Sequence, residues 1–181
     1  MGDVFSIESI ENFRYEIEET EISDVSKIIK EMIKIKSSKV GLVCKKSRPY
    51  DIEEKINLNQ FTNTPAEKIK KYHIDAYDII DDAINCLEEL DACISGDLYD
   101  YYWEIYTNIL IYLEIDINDE NKITENVDKI YSSITDNIYK GLFSGKKTDL
   151  ALNKIITYIG AITAYVFYKC KFLIPVEKCK Y

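Results

Sequence analysis

The groups able to do chemistry in this chain are few, and their spacing fits no reaction. The only histidine, His73, stands near Asp75 and Asp78, a set that could begin a proton relay or a metal site. Zinc asks for more His or Cys ligands, and no nucleophile motif accompanies the imidazole. His73 is therefore read as a surface or helix-junction residue. Asp116-Ile117-Asn118-Asp119-Glu120-Asn121 opens like a calcium loop. Its sixth position, however, is Asn121 where Gly makes the turn, and its twelfth is Val127 where a bidentate Glu is needed. The acid pairs Asp81-Asp82 and Glu88-Glu89 read as solvated helix faces, not as a glycosidase pair. No phosphate loop and no G-x-G-x-x-G occurs. Cys44, Cys86, Cys93, Cys170 and Cys179 form no C-x-x-C pair. Cys86 and Cys93 fall in a helical pattern and read as small buried hydrophobes in a reducing compartment. The prediction is a protein with no catalytic residues, no metal and no cofactor.

Two stretches carry more information. Tyr99 to Tyr106 holds four Tyr and the single Trp, Trp103. Five such rings within two helical turns cannot all face one way, so some must line a surface, where amphipathic rings suit partner grooves. From Ile155 to Tyr168 no residue is charged, and the apolar side chains lie all round a helix. A helix without a polar face is either a central core helix or one that meets lipid. Fourteen residues span about 21 Å, and counting on to Ile174 gives about 30 Å, the thickness of a hydrocarbon core. Lys154, Lys169, Lys171, Lys178 and Lys180 flank the segment. Residues 150–176 are expected to act as a membrane anchor with Ile155, Ile159, Ile162, Val166 and Phe167 in lipid; a buried core helix is the alternative.

The elements that must position these residues are helical. Ile22, Val25, Ile28, Ile29, Met32 and Ile33 recur at helical spacing. Residues 39–60, broken by Gly41 and Pro49, read as loop with one strand-like piece at Val40, Leu42 and Cys44. Thr64-Pro65-Ala66-Glu67 reads as a capping box with Pro at the first helical position. A second start is expected at Asp75, with Ile79, Ile80, Ala83, Leu87 and Leu90 inward, and a stop at Ser95-Gly96. Asp97 would cap the next helix, Asp116 to Asn121 turn the chain, and one further helix run from Ile123 to Leu142. Residues 4–20 stay open between a short strand around Phe13–Ile17 and a mobile arm.

Composition narrows the setting. The formal charge of −9 and the absence of a basic stripe exclude nucleic-acid binding. The chain carries 21 Lys against 2 Arg, with 30 Ile and 15 Tyr, the mark of an A·T-rich coding sequence. Residues 1–20 have no signal-peptide character, and no N-x-S/T acceptor survives, which points to an intracellular protein. Met1-Gly2-Asp3-Val4-Phe5-Ser6 matches the myristoylation pattern, but the acid after Gly2 makes it a poor context. The expected organisation is an acidic arm (1–21), a helical domain (22–149) and the apolar segment (150–181).

From Ala66 to Ile174 the order of parts resembles the Bcl-2 (B-cell lymphoma 2) family, specifically its divergent poxvirus members. Tyr102-Trp103-Glu104-Ile105 stands where the family carries Asn-Trp-Gly-Arg. Val127-Asp128-Lys129-Ile130 with Thr135-Asp136-Asn137-Ile138 is similar to the motif of its following helix, and residues 71–90 resemble its second and third helices. The resemblance implies an all-α, Bcl-2-like bundle around a central hydrophobic helix, with an apolar C-terminal helix. It also implies a stoichiometric inhibitor of host apoptosis at the mitochondrial outer membrane. Pro-apoptotic proteins would lay a death-motif helix into a groove lined by Ile80, Ile84, Leu87, Tyr102, Trp103, Glu104, Ile105, Tyr106 and Leu110. Glu104 replaces the family's Gly and Ile105 its Arg, which removes a charge-assisted contact worth about 1.5–3 kcal/mol. Relatives lacking that Arg divide between two tasks, so the second expectation is a cytosolic immunomodulator binding innate-immune signalling proteins through a surface face. The apolar segment discriminates between them, since the immunomodulator would bury it. A homodimer is compatible with either.

Overall fold

Apolar residues three and four apart turn into seven α-helices, with no strand, among the residues described by the computed structural model: 19–38, 50–143, 152–169 and 172–176. They are α1 (Glu19–Ser38), α2 (Tyr50–Leu58), α3 (Asn63–Glu88), α4 (Ile94–Tyr112), α5 (Glu120–Glu125), α6 (Val127–Phe143) and α7 (Leu152–Tyr168). The all-α expectation holds for these residues.

The centre of the bundle is α7. Every residue from Ile159 to Phe167 is buried, which is where a helix without a polar face belongs. α3 packs along it, and α6, α1 and α2 close round it, while α4 lies on α6, α1 and α3. The one polar side chain in that stretch besides Tyr165, Thr163, is satisfied: its hydroxyl donates to the Ile159 carbonyl at 2.9 Å and shares a 3.0 Å bond with Tyr102 Oη of α4. Close approach of α3 and α7 needs Gly160, because a Cβ there would stand 2.5 Å from Tyr72 Cε2.

α2 holds the chain beyond α7 in place. Buried Lys55 donates to the carbonyls of Phe167 at 2.6 Å and Phe172 at 3.2 Å, and its Nζ lies 4.5 Å from the Phe167 ring centroid. An ammonium at these carbonyls meets the negative end of the α7 dipole. One turn on, the Asn59 amide brackets Ile174, giving Nδ2–H to its carbonyl at 3.0 Å and accepting its N–H at 2.9 Å. Phe61, Tyr131, Phe167 and Phe172 interlock there, largely edge to face.

Two helices end alike. Gln60 (φ 57°) and Glu114 (φ 55°) are left-handed. After α2, Phe61 N–H bonds to Ile56 and Gln60 N–H to Asn57; after α4, Ile115 N–H bonds to Leu110 and Glu114 N–H to Ile111. This is the Schellman pattern with its apolar pair (Phe61 and Ile56, Ile115 and Leu110), but without the usual glycine.

Several local expectations are corrected. Residues 50–58 are a helix, not a loop, because Ile52, Lys55, Ile56 and Asn59 form one inward stripe. α3 is one helix, with no restart at Asp75. It begins at Thr62, whose side chain does not cap: the Thr62 hydroxyl and N–H both bond to the Asp128 carboxylate of α6. Ser95-Gly96 lies inside the first turn of α4, and Asp91 accepts the N–H of Cys93 before it. Asn126 divides the helix expected over Ile123–Leu142 into α5 and α6, and Asp119 caps α5 by accepting Lys122 N–H at 3.1 Å. α1 starts at Glu19, inside the expected arm. The strand-like pieces at Phe13–Ile17 and Val40–Cys44 lie outside the described residues.

Candidate functional site

The nine residues expected to line a groove divide sharply. Ile80 and Ile84 of α3 and Tyr102, Ile105, Tyr106 and Leu110 of α4 are buried in the core, and Leu87 is half-buried against it. They fill the space around α7 rather than facing an open cleft. Burial pushes the Tyr106 phenol up to about 12 and raises Tyr102 as well, against the lowering effect of its bond to Thr163. The apolar members of the set belong to one buried core cluster with residues of α7. Of the nine, Trp103 and Glu104 are exposed.

Those two belong to a different surface. The outward face of α4 carries Trp103 at 46% exposure and Ile111 at 74%, interleaved with exposed Asp100 and Glu104, and Tyr112 is exposed at 71%. Trp103 and Ile111 are eight residues apart, about 12 Å along the axis. The Trp103 ring leans on Tyr106, their centroids 5.7 Å apart, so the indole is held from below. Thr107 bonds back to the carbonyls of Trp103 and Glu104, both at 3.0 Å. Trp103 and Ile111 lie about 80° apart round the axis, whereas Tyr112, nine residues from Trp103, points about 180° away from it. Ile111 and Tyr112 were not singled out from the sequence; their signal is that α4 is apolar at positions its inward stripe cannot use.

The expected anchor residues are core residues here. Ile155, Ile159, Ile162, Val166 and Phe167 are all buried. No helix among the described residues is long and apolar enough to cross a membrane. The physical reason is that the other helices present apolar stripes that only an all-round apolar helix can cover together.

The sparse chemistry is sorted equally. His73 is buried and not superficial, stacked between Tyr77 and Tyr168 at 5.1 and 4.4 Å between centroids. Asp81 accepts from Tyr165 Oη at 2.7 Å and from Lys169 at 3.2 Å, a tie between α3 and α7. Asp116 holds the N–H and side-chain amide of Asn118, which lowers its carboxyl. Cys86 and Cys93 are exposed free thiols, correcting the expectation that they are buried. Among the described residues no group of His, Cys, Asp and Glu could hold a metal ion. No protein-family model, curated protein or solved structure matches this chain.

Proposed function

We propose that this chain is a stoichiometric protein-binding module without turnover: a Bcl-2-like bundle that engages innate-immune signalling proteins of its host cell through the outward face of α4. The observation that carries this reading is the burial of Ile155 and of every residue from Ile159 to Phe167 at the bundle centre. A fold that uses that segment as its central helix does not have it to spare for a bilayer. With Ile80, Ile84, Tyr102 and Leu110 packed inside, the α3–α4 seam offers no ready cleft to a death-motif helix. Trp103 and Ile111 supply the aromatic and aliphatic anchors typical of an interface centre.

The test has two arms. In titration calorimetry of the full chain against a panel of pro-apoptotic amphipathic helices, every dissociation constant is expected to be weaker than about 10 μM, or roughly −7 kcal/mol. Proximity cross-linking in host cells is expected to capture signalling adaptors or kinase-complex subunits with the native chain and not with Ile111→Asp. Submicromolar binding of a death-motif helix would return the apoptotic reading to first place.

A further inference from the structure

We infer that the outward face of α4 docks a cationic amphipathic helix of the partner. Its aliphatic side is set on Trp103 and Ile111, and its lysines or arginines lie round Asp100 and Glu104. This rests on the protein-binding reading above and names the chemistry of what is bound.

Charge chooses the occupant. Between Lys71 and Lys122 the chain holds fourteen of its 32 Asp and Glu and none of its 23 Lys and Arg. The net charge of −9 is thus unevenly spread: this stretch, with α4 at its middle, is strongly anionic, and the rest of the chain is net basic. Three cations from outside the stretch meet it, none of them at Asp100 or Glu104. Lys169 pairs with Asp81 at 3.2 Å, Lys122 with Asp119 at 3.8 Å, and Lys27 feels Asp91 and Asp97 from α1. Among the described residues none forms an ion pair with Asp100 or Glu104. The carbonyl end of the α4 dipole, beside Ile111 and Tyr112, adds to the negative potential. An apolar patch in such a field favours a partner that brings cations with its apolar anchors. A second copy would set the same negative face against itself, and an anionic lipid surface would be repelled.

The chain contains its own reporter, because Trp103 is the only tryptophan. Three synthetic peptides serve as probes: an amphipathic Leu/Lys helix, the same pattern with Glu for Lys, and a shuffled Leu/Lys peptide with no apolar face. At low salt only the first is expected to give a saturable blue shift of Trp103 emission. Ile111→Asp and the double change Asp100→Lys with Glu104→Lys are each expected to weaken it by about tenfold or more. All three positions are solvent-facing, and circular dichroism checks that each variant folds; Ile111→Ala stands in where Ile111→Asp does not. Equal binding of the Glu peptide or of the shuffled peptide overturns the inference. So does an unmoved Trp103, or a dimer by sedimentation that covers it. Signalling-protein capture that survives the charge reversal refutes the cationic partner alone. Death-motif binding refutes the function.

Discussion

Replacing Gly160 with alanine tests the packing of α3 on α7 by the sign of its effect. Exchanging a helix-interior glycine for alanine ordinarily stabilises by about 0.5–1 kcal/mol. At Gly160 the new methyl would stand 2.5 Å from Tyr72 Cε2 and 2.8 Å from its Cζ. Carbon atoms rest at about 3.5–4.0 Å, so the ring must retreat by about 1 Å. Tyr72 is not free to do so without loss, since it packs against the core and lies 5.8 Å beneath the Lys68 ammonium. Overpacking of this kind costs about 1–3 kcal/mol. Set against the helix-propensity gain, the net loss centres on about 1 kcal/mol and is at most about 2.5 kcal/mol. For a domain of this size a loss of about 1 kcal/mol lowers Tm by about 2–4 °C. Gly96 is the internal control: it too lies in a helix, and a Cβ there meets nothing within 4 Å. Gly96→Ala is therefore expected to raise Tm by about 1–4 °C. Both are measured by thermal and urea unfolding, with Gly160→Ala repeated in a Tyr72→Ala background, where the clash is gone and the change should stabilise. If Gly160→Ala is as stable as the native chain with Tyr72 in place, or if removing Tyr72 leaves its cost unchanged, the account of this interface is wrong.

Other outcomes follow from single groups. Tyr131 Oη is buried with no hydrogen-bond partner among the described residues, so Tyr131→Phe should stabilise by about 1 kcal/mol in urea unfolding, not destabilise. Glu114→Gly and Gln60→Gly relieve left-handed backbone and should each add about 0.5–1 kcal/mol by the same measurement, with the α4 surface unchanged. Burial raises the phenols of Tyr102, Tyr106, Tyr131 and Tyr165 in the folded chain above the ordinary value of 10.0. Unfolding then releases protons above pH 10, so stability is intact below that value. It should fall by about 1.4 kcal/mol per pH unit for each such phenol as pH rises towards 12. Tm measured at pH 9, 10 and 11 should begin to decline across the first interval and fall about threefold more across the last, together with the rise of tyrosinate absorbance.

The helices legible in the sequence were those whose apolar stripe is long and one-sided, as in α1 and α6. α2 was not, because nine residues after Pro49 give barely two turns, and half of its inward stripe is Lys55 and Asn59, polar residues whose purpose shows only once the carbonyls they bond are in place. Ser95-Gly96 looks like a stop, yet α4 takes it into its first turn with Asp91 ordering the entry at Cys93. The apolar segment 155–168 was visible at once but ambiguous in principle: surroundings of lipid and of helices select the same residues, and only the stripes of α1, α3 and α6 decide between them. That some rings of the 99–106 cluster must face outward was readable from the helix circumference. Which ones they are depends on where α7 lies, and Tyr102, paired with Thr163, went in while Trp103 stayed out.

The place of α7 in the chain has a consequence for biosynthesis. The helix round which α1, α2, α3 and α6 pack follows all of them in sequence, and Lys55 and Asn59 bond to residues more than a hundred positions later. At roughly 5–20 residues per second, α1 waits about 6–23 s between its own synthesis and the start of α7. Throughout that interval α1, α3, α4 and α6 can meet one another, but the apolar residues that α1, α3 and α6 turn toward α7 have no partner. The nascent chain passes through a ribosome-bound state that is helical with its core incomplete, and it is in that state, not in the finished bundle, that chaperones and aggregation compete for it.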